Sequence, residues 1–176
     1  MAKEQEGLVQ VFTGNGKGKT TAALGAVLRA AGQGLRVHIV QFMKGTYPYG
    51  EHQALAQLPN VTVARFGHLD FVDPQNIRDE ERGEAEKALM AGRKAMLSGR
   101  YDLVVLDEVN IAAAWGLVAL DEVIRVIREK PDNVELILTG RYADPRLIEL
   151  ADLATEMVEV KHPYQKGIKP RCGFEY

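Results

Sequence analysis

Short apolar runs alternate with amphipathic stretches along most of this chain. The runs are rich in β-branched residues and predict six strands, at residues 8–13, 36–42, 61–66, 102–107, 134–139 and 156–160. Several of them are apolar at consecutive positions, which is typical of parallel strands that are covered on both faces. Between them, apolar residues at helical spacing predict helices at residues 20–31, 79–98 and 120–127.

This alternation predicts an α/β fold with a mostly parallel sheet and helices on both faces. The chain shows no internal repeat, linker or low-complexity segment, so we expect residues 1–176 to form a single domain. Residues 43–52 and 67–78 interrupt the pattern with glycine, proline and aromatic residues. Both segments follow a predicted strand, where the loops of an open α/β sheet line the ligand crevice. Their aromatic side chains either meet a flat apolar ligand or pin the loops to the body of the protein.

Composition narrows the class of protein without naming a function. Hydrophobic residues make up 46% and charged residues 26% of the chain, and the net charge of −2 gives no general attraction to nucleic acid or to an anionic membrane. No apolar run approaches the roughly 20 residues that a membrane span needs. The first residues are polar, and the single cysteine, Cys172, has no partner for an internal disulfide. These features predict a cytoplasmic protein.

A glycine- and lysine-rich segment follows the first predicted strand and precedes the first predicted helix. It reads Gly14, Asn15, Gly16, Lys17, Gly18, Lys19, Thr20, Thr21. In such a loop the backbone N–H groups point at phosphates, the lysine reaches their outer oxygens and the threonine hydroxyl ligates magnesium. The strict pattern G-x-x-x-x-G-K-[ST] is relaxed at its first glycine, where this chain has Thr13. The segment, which we call the glycine loop, predicts a P-loop NTPase-like nucleotide site.

The fourth predicted strand ends in two acids, Asp107 and Glu108. A carboxylate at the end of a later strand is the usual partner of a phosphate-binding loop, because it helps to hold magnesium opposite the threonine hydroxyl. Side chains alternate along a strand, so the two acids point in different directions unless the strand ends between them. The pattern alone leaves open which acid is the metal ligand.

Two further basic features follow the acids. Arg141 comes directly after the fifth predicted strand, where its guanidinium either approaches the phosphates or lies at the surface. Residues 161–176 carry four Lys or Arg against one Glu. Their charge either attracts phosphates or carboxylates or belongs to a solvated tail.

Taken together, five segments resemble the P-loop type of ATP:corrinoid adenosyltransferase in order and spacing. They are residues 13–23 (TGNGKGKTTAA), 40–45 (VQFMKG), 104–108 (VVLDE), 139–141 (TGR) and 160–162 (VKH). The resemblance runs from about residue 7 to the end of the chain. It implies that a reduced Co(I) corrinoid attacks the 5′ carbon of ATP and that the whole triphosphate leaves. It also implies Mg²⁺ as the metal ion, a homodimer, and an electron-donating flavoprotein as a partner.

The resemblance also assigns roles to residues of this chain. The glycine loop and Arg141 bind ATP, Lys19 and Glu108 are catalytic, Thr20 and Glu108 hold the metal, and Asp107 supports them. Some members of the family carry a Gly-Phe-Thr-Trp segment whose aromatic side chains press on the corrinoid. The corresponding region here has no tryptophan, and Phe71 is the best replacement, followed by Phe66 and His68.

Two other functions compete with adenosyl transfer. An ordinary P-loop ATPase or kinase-like enzyme would use the second acid to orient a water molecule. A nucleotide-gated interaction module would bind ATP without turnover and present the loops at 43–52 and 67–78 to a protein partner. Fold class alone separates none of the three.

Overall fold

A computed structural model of the protein describes residues 6–68 and 70–175. The strands are β1 (Val9–Thr13), β2 (Val37–Gln41), β3 (Val61–Arg65), β4 (Leu103–Asp107), β5 (Glu135–Thr139) and β6 (Leu153–Glu156). The α-helices are α1 (Lys19–Gly32), α2 (Gly50–Leu55), α3 (Asp79–Met96), α4 (Val109–Ala114), α5 (Leu120–Arg128) and α6 (Pro145–Leu150). A 3-10 helix follows at Pro163–Lys166.

The six strands form one sheet in the order β3-β2-β4-β5-β1-β6, and every neighbouring pair is parallel. This confirms the predicted P-loop NTPase-like α/β class. Because all strands run in one direction, their carboxyl ends meet at one edge of the sheet. The register places Gln41, the last residue of β2, opposite Asp107, the last residue of β4.

Helices cover both faces of the sheet, as the uninterrupted apolar strands predict. On one face, Val37, Ile39 and Val105 pack with Ala23 and Val27 of α1. On the other face, alternate residues of the same strands pack against α3, α5 and α6. Each of β1, β2, β4 and β5 therefore carries buried apolar side chains on both faces of the sheet. Among the described residues, no helix has both the length and the apolar composition needed to cross a membrane.

The prediction for the last strand was wrong in its position. β6 spans residues 153–156 instead of 156–160, and all of its side chains are exposed. It lies at the edge of the sheet beside β1, and its ladder runs out where β1 ends at Thr13. The next carbonyl, that of Met157, instead accepts a hydrogen bond from the N–H of Gly16 in the glycine loop (2.7 Å). An edge strand with no buried face leaves no apolar alternation by which its limits can be read.

Three short helices were not predicted. Each of α2, α4 and α6 has six residues, which is too short for a helical repeat to stand out. The start of α6 did carry a readable signal, since Asp144 caps the helix and Pro145 occupies its first turn. The long helices agree with prediction to within about two residues at each end, the usual uncertainty of a helix boundary.

Candidate active site

An open cleft of about 910 Å³ lies at the carboxyl edge of the sheet. The glycine loop, the end of β4 and the turn after β5 all contribute to it. Its walls include most of the residues predicted for nucleotide binding: Gly16, Lys17, Gly18, Lys19, Thr20, Thr21, Glu108 and Arg141. Gly14, Asn15 and Asp107 are not among the lining residues. The structure thus brings together side chains from three separate segments that sequence motifs had singled out.

The shape of the glycine loop depends on glycine at two positions in particular. Gly14 and Gly18 have φ angles of 95° and 125°, which side-chain-bearing residues rarely adopt. A Cβ on Gly14 would also lie only 2.4 Å from the carbonyl oxygen of Met157. The loop is therefore held against the segment that follows β6. It leads directly into α1, whose first residues, Lys19, Thr20 and Thr21, line the cleft.

Lys19 is folded back into the glycine loop. Its ammonium donates to the carbonyl oxygens of Gly14 and Gly16, at 2.7 Å each, and the residue is only 7% exposed. Burial lowers the pKa of Lys19 below its ordinary value, against the opposing effect of Glu108, while Arg141 lowers it further. The lysine is thus positioned at the loop and can exchange carbonyl partners for phosphate oxygens.

Asp107 is buried beneath the glycine loop, and both of its carboxylate oxygens are engaged. Oδ1 accepts the hydroxyl protons of Thr20 (2.8 Å) and Thr139 (2.7 Å). Oδ2 accepts from the ammonium of Lys44 (2.7 Å) and, at 3.4 Å, from the amide of Gln41. We call these five residues the Asp107 cluster. The contact between Thr20 and Asp107 is the predicted link between the loop and the end of β4.

Glu108 points elsewhere, because β4 ends between the two acids. It has a left-handed backbone, with φ at 70°, and its N–H donates to the hydroxyl of Thr139 (2.9 Å). Its carboxylate lines the cleft and accepts no hydrogen bond from the described residues. Burial and the neighbouring Asp107 raise the pKa of Glu108, against the opposing effects of Lys44, Lys19 and Arg141. A positive φ in a residue with a side chain is strained and is a common feature of functional sites.

The donor set of the cleft fits Mg²⁺. No three His, Cys, Asp or Glu side chains converge on a metal position within residues 6–68 and 70–175. Mg²⁺ does not require such a cage, since it commonly binds through one or two carboxylates together with substrate phosphates. Thr20 directs its hydroxyl proton to Asp107, so its oxygen lone pairs are free, and the Glu108 carboxylate is free as well. Both are hard oxygen donors of the kind that Mg²⁺ prefers.

The C-terminal segment reaches the glycine loop, which the sequence did not indicate. The ammonium of Lys17 donates to the carbonyl oxygen of Phe174 (2.7 Å) and to the carboxylate of Glu175 (2.9 Å). Hydrogen bonds from Arg171 and Lys17 lower the pKa of Glu175 to about 2. The basic segment therefore presents its one acid to the loop, in the place where a phosphate would compete for Lys17.

Aromatic side chains form another part of the cleft wall. Phe71, Tyr142 and Phe174 line it and are 95%, 56% and 70% exposed; we call these three the aromatic rim. Tyr49 and Trp115 line the cleft as well but are half-buried. Phe71, the first choice for contact with a corrinoid, thus lines the same cleft as the residues predicted to bind ATP.

The other two candidates for corrinoid contact are in different surroundings. Phe66 is half-buried and packs against the hydrophobic core. His68 is exposed and borders a separate cavity of about 10 Å³, next to Glu81 and Glu84. Neither is among the residues that line the cleft.

Sequence reasoning missed the role of Lys44, Gln41 and Thr139. Gln41 and Thr139 each end a strand and Lys44 follows one, so the sequence did place them near strand ends. Their contacts with Asp107 arise because β2 and β5 flank β4 in the sheet. The alternating pattern does not give the order of strands in the sheet. It therefore could not show that these three residues would contact Asp107.

Comparison with known proteins agrees with the resemblance seen in the sequence motifs. The sequence model of the family described as ATP:corrinoid adenosyltransferase BtuR/CobO/CobP matches residues 5–176. The chain is 36% identical to the corrinoid adenosyltransferase of Escherichia coli K12 over 176 residues, covering 99% of this chain and 88% of the relative. It is 36% identical to corrinoid adenosyltransferase CobA of Salmonella typhimurium, with coverage of 99% and 88%. It is 37% identical to the Pseudomonas aeruginosa corrinoid adenosyltransferase, with coverage of 99% and 86%. The chain therefore belongs to the ATP:corrinoid adenosyltransferase family.

Proposed function

We propose that this enzyme transfers the 5′-deoxyadenosyl group of ATP to the Co(I) centre of a corrinoid and releases inorganic triphosphate. One observation carries the proposal beyond family membership. Lys19, Thr20, Glu108 and Arg141 line the same cleft as the exposed Phe71, so phosphate-binding groups and an apolar surface share one space. That space is large enough for a nucleotide beside part of a second, flat substrate.

In this reaction the electron pair of Co(I) forms a bond to the 5′ carbon of ATP. The bond between that carbon and the α-phosphate oxygen breaks, and its electrons leave with the triphosphate. The cobalt is the nucleophile, so the protein supplies binding, orientation and electrostatics. Groups aimed at the departing phosphates stabilise the transition state more than the ground state, because negative charge grows there as the bond breaks.

Three basic groups of the cleft would bind the phosphates in this scheme. Lys19 exchanges the carbonyl oxygens of Gly14 and Gly16 for oxygens of the triphosphate. Lys17 likewise exchanges its contact with Glu175 for a phosphate oxygen, and Arg141 adds a third positive charge to the cleft. The backbone N–H groups of the glycine loop complete the binding of the phosphates.

Thr20 and Glu108 are the proposed Mg²⁺ ligands, and Asp107 supports them from below. The support for this division is geometric, because the oxygens of Asp107 are already engaged while the carboxylate of Glu108 is free. When bound, Mg²⁺ would neutralise charge on the phosphates.

The corrinoid is proposed to contact Phe71, with Tyr49, Trp115 and Tyr142 as further apolar surface in the cleft. Contacts from Phe66 and His68 stay predictions. So do the homodimer, the electron-donating flavoprotein, the cytoplasmic location and the single domain over residues 1–176.

One observation also suits the competing ATPase reaction. The free carboxylate of Glu108, with its raised pKa, could orient a hydrolytic water molecule. The two reactions differ in their products, since hydrolysis gives ADP and orthophosphate and needs no corrinoid.

The proposal is tested by mixing the purified protein with MgATP and a chemically reduced corrinoid. We expect the light-sensitive spectrum of an adenosylcorrinoid to develop with wild-type protein and to be nearly absent with Lys19→Ala. Lys94→Ala, on the surface of α3, is the matched control and should react as wild type does. Absence of the adenosylcorrinoid spectrum with folded wild-type protein would refute the proposal.

A further inference from the structure

Lys44 lines the cleft and is fixed there by both its backbone and its side chain. Its N–H donates to the carbonyl oxygen of Phe66 (3.0 Å), which ties the loop after β2 to the end of β3. Its ammonium lies 2.7 Å from Asp107 Oδ2 and 5.1 Å from the centre of the Tyr49 ring. The side chains of Lys44 and Asp107 are only 12% and 2% exposed. Such a lysine loses most of its rotational freedom and holds its charge at one point.

The orientation of the Asp107 carboxylate determines where the Thr20 hydroxyl points. A threonine hydroxyl donates a single hydrogen bond, and that of Thr20 donates to Asp107 Oδ1 (2.8 Å). The lone pairs of Thr20 Oγ1 are then turned away from Asp107. A carboxylate is planar, so partners on Oδ2 fix the direction in which Oδ1 accepts.

The two partners of Oδ2 differ in charge. The amide of Gln41 is 3.4 Å away and is itself held by His52, whose Nε2 lies 2.6 Å from Gln41 Oε1. Arg65 donates to Nδ1 of His52 (2.9 Å), so Nε2 carries the ring proton and donates to Gln41. The nearer partner, Lys44, is the one cation hydrogen-bonded to Asp107 among the residues that the structure describes.

We propose that Lys44 is a positioning residue for the metal ion that accompanies ATP. Its ion pair fixes the orientation of the Asp107 carboxylate, Asp107 accepts the hydrogen bond from the Thr20 hydroxyl, and the lone pairs of the Thr20 oxygen are thereby presented to the metal. Lys44 acts through these two residues and not by touching the phosphates. The inference rests on the proposed function, since it assumes that a metal–ATP complex binds at the glycine loop.

The test compares wild-type protein with Lys44→Met, which removes the charge and keeps the length of the side chain, and with Lys44→Arg, which keeps the charge. Lys130→Met is the matched control. Lys130 is also half-buried, but it donates to the carbonyl oxygens of Gly7 and Pro131, outside the cleft. Its loss should disturb packing without affecting the metal.

Two binding measurements separate the possible roles. Electron paramagnetic resonance of Mn²⁺, used in place of Mg²⁺, reports the metal bound with ATP on the protein. Calorimetry with ATP in the presence of a chelator reports nucleotide binding without metal. Groups that orient metal ligands typically change metal affinity about 10- to 100-fold. We therefore expect Lys44→Met to weaken Mn²⁺ binding by about 10-fold and to leave metal-free ATP binding unchanged. Lys44→Arg should recover most of the Mn²⁺ affinity.

The outcomes that overturn the inference are distinct from those that overturn the proposed function. Equal Mn²⁺ affinity in Lys44→Met and wild type would remove Lys44 from any role in positioning. An equal loss of metal-free ATP binding would make it a phosphate contact instead. If Lys44→Met does not fold, Lys44→Gln takes its place with the same expected results. Failure of wild-type protein to bind Mn²⁺ with ATP would count against the proposed function itself.

Discussion

The Asp107 cluster and the aromatic rim are two parts of one cleft with opposite physical character. The side chains of the cluster are hydrogen-bonded around Asp107, whose side chain is 2% exposed, whereas Phe71 of the rim is 95% exposed. Ordering of the cluster is completed when the protein folds, so its groups need little rearrangement when phosphates arrive. The rim gains its apolar contacts only when a substrate covers it. Changes in the cluster should therefore affect folding and chemistry, and changes in the rim should affect chemistry alone.

The largest effect on the reaction rate is expected for Lys19→Ala, a change beside the Asp107 cluster. Lys19 is the buried ammonium of the glycine loop and is proposed to contact the departing triphosphate. Removal of one such charge-stabilising group typically lowers the rate by about 10²–10³. The rate of adenosylcorrinoid formation at saturating substrates measures it. A rate close to that of wild type would remove Lys19 from the reaction.

Loss of each acid at the end of β4 should reduce a different property, stability for Asp107 and activity for Glu108. Asp107→Ala leaves Lys44 buried without its counter-ion, and loss of one partner of a buried pair lowers the free energy of unfolding by about 3–5 kcal/mol. Glu108→Ala removes a carboxylate that accepts no hydrogen bond within the part of the chain that the structure describes, so it should lose activity and Mg²⁺ dependence with a much smaller change in stability. Chemical denaturation and Mg²⁺ titration of the activity measure both effects. A stable Asp107→Ala protein without Mg²⁺ dependence would mean that the two roles are exchanged.

The contrast also explains how much the sequence could predict. The glycine loop and the Asp107–Glu108 pair are contiguous motifs on strongly patterned elements, so their chemistry and position were predictable. Lys44 and Gln41 join the cluster because β2 lies beside β4, and strand order is a long-range property that local patterns do not encode. The rim is assembled from loops and the C-terminal segment, whose positions the apolar periodicity of helices and strands does not determine. Its members were accordingly the least predictable part of the site.

Phe71→Ala tests the expectation that changes in the aromatic rim affect chemistry alone. The side chain is almost fully exposed, so the free energy of unfolding should change by no more than about 0.5 kcal/mol. We expect the variant to adenosylate a pre-reduced Co(I) corrinoid well. The rate should fall mainly when a mild reductant must act on the bound Co(II) form. Equal losses in the two assays would indicate that Phe71 serves general binding instead.

The smallest effect concerns His52, which orients Gln41 of the cluster. Burial, followed by the nearby Arg65, lowers the pKa of His52 below its ordinary 6.5. Its contribution to stability is therefore complete above pH 6.5 and is lost as the pH falls below that value toward the lowered pKa of the folded protein. His52→Gln should show a smaller loss of unfolding free energy between neutral pH and mildly acidic pH. Parallel profiles for the two proteins would show that His52 does not contribute in this range.

The identity of the phosphate product tests the central claim most directly. Attack at the 5′ carbon breaks a carbon–oxygen bond, so all three phosphates leave as one unit, held by Lys19 and the glycine loop. Phosphorus NMR of the quenched reaction should show inorganic triphosphate in equal amount to the adenosylcorrinoid, with little ADP when corrinoid is omitted. ADP and orthophosphate as the main products, formed without corrinoid, would contradict the account and support an ATPase instead.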